Sequence, residues 1–160
     1  MVIFKKFKIF VFGKRKITLD SSVIISDVIF NSEVAKEAVE KSTSEDEMMF
    51  TNIIFDECVN FTDKKNNKSM TKDEMEDELI ERFGIPIEVD LPSDEELKKK
   101  YFIRDIGDLK ILHSAEKTGS KLIVTRDEDL LDKKVKGPKG VKIVEMYKYV
   151  GKEPPPKKRK

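Results

Sequence analysis

Residues 105–131 read DIGDLKILHSAEKTGSKLIVTRDEDLL, and this stretch decides the fold class. Its first half places Leu109, Leu112 and Ala115 at helical spacing, and Gly119 supplies the stop. Leu122, Ile123 and Val124 then form a short unbroken apolar run, the pattern of a parallel strand covered on both faces. A helix handed through a glycine turn to such a strand is one unit of an alternating α/β chain. Past Thr125 the character changes abruptly, because Asp127, Glu128 and Asp129 follow one another directly.

The same alternation extends in both directions. Upstream, Ile17–Leu19 is a strand that ends at Asp20. SEVAKEAVEKS, from Ser32, sets Val34, Ala35, Ala38 and Val39 on one helical face with Ser32 as N-cap. MMFTNIIFDECVNF is a brief strand running into a helix, and a polar loop over 62–69 follows. TKDEMEDELIERFG is an exposed helix opened by Thr71 and closed by Gly84. IPIEV, from Ile85, has strand character; Ser93 caps a short helix; VKIVEM, from Val141, is the last strand. The expected architecture is a three-layer α/β sandwich, an open and mostly parallel sheet with helices on both faces.

A chain of 160 residues with 38% hydrophobic content suffices for one core, so one domain is expected, over 16–150. A basic, Phe-rich extension (1–15) precedes it, and a tail (151–160) almost without apolar residues follows, expected to be disordered. The two ends are basic while the body between them is net acidic, despite a formal charge of +1. A polyanion could be met by such ends, although charge runs are more often solvated surface. The single cysteine, Cys58, excludes an internal disulfide, and no zinc-ligand spacing is present; a reducing cytoplasm is the simplest compartment. No apolar run approaches membrane-spanning length, so no membrane partner is expected.

In an open parallel sheet, ligands gather beyond the carboxyl ends of the strands. Asp20 and Asp127 both follow strands and so fall at that edge, where either alone also reads as a helix cap. Glu57 shares a helical arc with Ile53, Ile54, Cys58 and Phe61, so it needs a cation, a proton or a place at the rim of the stripe. Asp105 and Asp108 open the long helix, where a cap and a first-turn acid are structurally sufficient. Clustered carboxylates raise one another's pKa unless a cation neutralises them, and hard oxygen ligands suit Mg²⁺ or Mn²⁺.

The ordered series ITLDSSVII, IIFDECVNF, DIGDLKILHSA and LIVTRDEDLL resembles the PIN-domain ribonucleases, the VapC-like toxins and related prokaryotic proteins in particular. The resemblance covers roughly residues 16 to 146 and implies a metal-dependent endoribonuclease that leaves a 5′-phosphate. It assigns Asp20, Glu57, Asp108 and Asp127 as catalytic metal ligands for Mg²⁺ or Mn²⁺, with Ser22, Asp105, Thr125 and Asp129 as auxiliaries. The implied partners are an RNA substrate, an antitoxin protein and a second copy of the chain. Lys14, Arg15, Lys16 and Arg126, together with Lys5, Lys6 and Lys8, are the candidates for RNA contact.

Two features depart from the family pattern, the basic extension and the long polar segment from Phe61 to Met75. Phe4, Phe7, Phe10 and Phe12 could stack on bases, but their density reads better as an added edge strand or a subunit contact. A PIN-like scaffold that binds RNA or protein without cleaving is the competing function. A small-molecule phosphatase lacks its first-strand Asp-x-Asp and its glycine-rich loop.

Overall fold

The computed structural model describes residues 14–64, 70–101, 105–132, 135 and 137–156. The Phe-rich stretch up to Phe12, the centre of the polar loop and the last four basic residues lie outside these. Among the described residues four strands form one sheet: β1 (Lys16–Leu19), β2 (Glu47–Met48), β3 (Leu122–Thr125) and β4 (Lys142–Glu145). The order is β2-β1-β3-β4 and every neighbouring pair is parallel. Ile17, Thr18 and Leu19 of β1 and all of β3 are buried, as the unbroken apolar runs require.

Helices α1 (Ser21–Val28) and α2 (Glu33–Ser44) connect β1 to β2 on one side of β1. Helices α3 (Asn52–Lys64), α4 (Lys72–Phe83), α5 (Asp94–Lys100) and α6 (Ile106–Thr118) then carry the chain back past β1 to β3. Parallel crossovers are right-handed, and these two run in opposite directions along the sheet, so their helices cover opposite faces. Short helices α7 (Glu128–Leu131) and α8 (Met146–Tyr149) follow β3 and β4. Sequence cues set the helix ends. Thr71 and Glu74 form a reciprocal capping box, Ser93 accepts from Glu96 N–H, and Gly119 closes α6 at φ 71°.

IPIEV is not a strand. It makes one isolated bridge, Thr51 to Ile87, flanked by Ile87 N–H donating to Phe50 O at 2.8 Å. Pro86 removes a backbone donor, and the Asn52 side chain takes both polar groups of Val89, accepting from its N–H at 2.8 Å and donating to its carbonyl at 3.2 Å. Helices α1, α7 and α8 are too short or too close to strand ends to show in the apolar periodicity.

Candidate metal centre

β1 and β3 lie side by side at the middle of the sheet, and the chain leaves their carboxyl ends toward opposite faces, which makes this edge the topological switch point. The register pairs Leu19 with Val124, and Asp20 N–H extends the ladder to Val124 O at 2.9 Å. Asp20 therefore stands beside Thr125. The Thr125 hydroxyl donates to Asp20 Oδ2 at 2.7 Å and accepts the Asp127 N–H at 2.9 Å. Ser22 does the same one position along, donating to Asp20 Oδ2 at 2.8 Å and accepting the Arg126 N–H at 3.2 Å. Asp20 occupies the N-cap position of α1 but makes no side-chain cap bond, so capping does not account for it. Its two hydroxyl donors favour the ionised form, yet its near-complete burial dominates and raises its pKa.

Glu57 comes to this edge on α3, whose buried residues include Ile53, Ile54 and Cys58. Its Oε2 accepts from Ser21 Oγ at 2.8 Å, and that hydroxyl is also 3.4 Å from Asp20 Oδ1. Among the described residues no ion pair reaches Glu57, so a buried salt bridge is not its role. Its Oε1 is buried and accepts no hydrogen bond there. Burial, and then the charge of Asp20, push its pKa up to about 7.

Asp108 lies in the first turn of α6. Asp105 caps that helix, accepting from Gly107 N–H at 2.7 Å and Asp108 N–H at 3.3 Å, so its cap role is the one the sequence allows. Asp108 is buried, and its Oδ2 is likewise without a partner among the described residues. Burial first, and then the negative charge of Asp127, push its pKa up to about 8. Asp127 Oδ1 accepts the Asp129 N–H at 2.9 Å and opens α7. Carboxylate oxygens of Asp108, Asp127 and Asp129 all lie within 4.8 Å of one another.

The four acids share one electrostatic neighbourhood: the charge of Asp20 acts on Glu57 and Asp108, and that of Asp127 acts on Asp20 and Asp108. Ser22 and Thr125 brace Asp20, and Asp129 joins Asp108 and Asp127 from the exposed rim. A divalent cation fits this cluster. The donors are hard oxygens, and among the described residues two buried carboxylate oxygens lack partners and no ion pair reaches Asp20, Glu57, Asp108 or Asp127.

The structure does not bring every expected residue here. Lys14, Arg15 and Lys16 stand at the amino end of β1, the opposite edge of the sheet. Lys14 Nζ donates to Ser44 O at 2.7 Å and Arg15 Nε pairs with Asp46 at 2.9 Å. Proximity in sequence to Asp20 suggested otherwise, but a four-residue strand separates the two ends. Arg126 does reach the site, with its guanidinium on the Ser26 hydroxyl. Sequence reasoning missed Ser21, although DSS signals a second hydroxyl, and missed Lys110, whose charge eases the ionisation of Glu57. Nothing in the sequence points to Lys110, because it depends on how α3 and α6 pack.

Among the described residues no helix is long and apolar enough to cross a membrane. No curated protein matches the chain. Among solved structures it resembles a chain of the crystal structure of VapBC2 from Rickettsia felis bound to a DNA fragment from their promoter. That likeness has a TM-score of 0.58 at 14% identity, covers 81% of this chain and 98% of that one, and concerns the fold. The family model for the PIN domain matches residues 17–136, the span that holds all of these acids. With the parallel sheet and the carboxylates at its switch point, that match places the chain in the PIN-domain family.

Proposed function

We propose that this protein is a metal-dependent endoribonuclease that hydrolyses RNA phosphodiester bonds, using Mg²⁺ or Mn²⁺ held by Asp20, Glu57, Asp108 and Asp127. One observation carries this reading: carboxylates from four separate segments converge, and two of their buried oxygens lack a partner among the described residues. A structural cluster would be expected to tie such carboxylates into ion pairs, and among the described residues none of the four is in one. When bound, the cation supplies Lewis acidity toward water and the phosphate. The chain's own groups do the placing. Thr125 and Ser22 fix the Asp20 carboxylate and the Asp127 turn together, and Asp105 holds the first turn of α6, where Asp108 comes close to Asp127. Arg126, exposed at the rim, is the group assigned to an RNA phosphate in this proposal.

Membership of the PIN family supports the nuclease reading, and the fold likeness to a VapBC2 chain supports a small antitoxin as partner. A homodimer and a cytoplasmic location complete the proposal. The test is cleavage of single-stranded and structured RNAs with Mn²⁺ or Mg²⁺, with chelator, and with Asp20→Asn. Products that require metal and vanish in Asp20→Asn support the enzyme. Products that persist in the variant would come from a contaminant, and RNA bound but never cut would indicate a scaffold.

A further inference from the structure

We infer that Ser21 is a positioning residue for the cation, acting through Glu57; this rests on the metal-dependent reading above. Ser21 is the first residue of α1 and is buried against α3. Its single hydroxyl proton has two acceptors within reach, Glu57 Oε2 at 2.8 Å and Asp20 Oδ1 at 3.4 Å, and the shorter contact takes it. Asp20 does not depend on this bond, because Ser22 and Thr125 already hold its other oxygen. For Glu57, the Ser21 hydroxyl is the hydrogen-bond donor that the described structure provides.

The consequence follows from rotamer freedom. A glutamate has three side-chain torsions, and a half-buried one with no ion pair and no second donor is fixed poorly. The Ser21 bond engages Oε2 and leaves Oε1 buried and unpartnered, available as a ligand. Ser21 follows Asp20 directly in the chain, so its bond ties the position of the Glu57 carboxylate to the end of β1. Removing the hydroxyl leaves the acids in number but releases one of them in position.

The test is Mn²⁺ binding to the full chain without RNA, followed by calorimetry and by the electron paramagnetic resonance signal of free Mn²⁺. Ser21→Ala should weaken Mn²⁺ binding by about tenfold, the lower end of the range for groups that orient metal ligands. Ser21→Thr, which keeps the hydroxyl, should stay within about threefold of the parent. In a Glu57→Gln background, Ser21→Ala should bring no further loss, since the residue through which it acts no longer contributes a charge. Three results would overturn the inference: unchanged Mn²⁺ affinity in Ser21→Ala, equal losses from Ala and Thr at unchanged melting temperature, or an additive loss on Glu57→Gln. Failure of the parent chain to bind Mn²⁺ at all would instead remove the metal-dependent reading, and this inference with it.

Discussion

Thr125 and Asp20, 105 positions apart, share a 2.7 Å hydrogen bond in which the threonine hydroxyl donates to Oδ2 while accepting the backbone N–H of Asp127. One oxygen atom therefore joins the two central strands at the point where their chains diverge. It also sets the spacing of two of the four acids. Thr125→Val, which keeps the shape and removes the hydroxyl, should cost about 1–3 kcal/mol in urea unfolding, because a buried carboxylate and a backbone donor both lose a partner. Thr125→Ser should keep most of that stability. Equal stability of all three proteins would show the bond to be incidental.

The metal-free protein should lose stability as pH rises. Burial and neighbouring charge push Glu57 up to about 7 and Asp108 up to about 8, so the folded chain holds protons that the unfolded chain releases nearer pH 4. Across that window stability falls with increasing pH, since the folded state binds more protons than the unfolded one. Thermal melts in chelator should show a higher midpoint near about pH 5 than near about pH 8.5 from these two groups, and saturating Mn²⁺ should remove most of the difference. A midpoint that rises with pH in chelator would contradict the assignment.

Asp108→Asn separates stability from function. The amide mimics the protonated form that burial and the charges of Asp127, Asp105 and Asp20 impose on Asp108, without the cost of taking up a proton, so near neutral pH the metal-free variant should melt higher than the parent. Its Mn²⁺ affinity should drop by at least about tenfold, and RNA cleavage should be lost with it. Melting and Mn²⁺ titration on the same samples check both halves.

Arg126 and Lys16 stand at opposite edges of the sheet and should differ in RNA binding. Measured in Ca²⁺ to suppress cleavage, Arg126→Ala should weaken binding of a short single strand and reduce the slope of log K against log salt by about 0.7, one phosphate contact. Lys16→Ala should leave the slope unchanged. The opposite pattern would move the RNA path to the amino edge.

How far the sequence reveals this site depends on the kind of information each residue needs. Asp20 and Asp127 are legible because strand ends can be read from apolar runs, and all ends of a parallel sheet that point one way share an edge. Glu57 is legible from its helical arc, but its partner is not. Ser21 reaches Glu57 only because α1 packs on α3, a contact with no local signature. Pro86 and Asn52 explain why IPIEV fails as a strand, since the apolar pattern registers side chains and not the missing backbone donor. The basic run Lys14–Lys16 misleads for a geometric reason, as four residues of β1 carry it away from the acid that follows.

The most direct measurement is the anomalous scattering of a Mn²⁺-soaked crystal of the parent chain. The account predicts a peak at the carboxyl edge of β1 and β3, about 2.1 Å from oxygens of at least three of Asp20, Glu57, Asp108 and Asp127, by analogy with the octahedral ligand distance of Mg²⁺. A peak elsewhere, or an edge that stays free of Mn²⁺ at millimolar concentration while its carboxylates turn to protein donors, would contradict it.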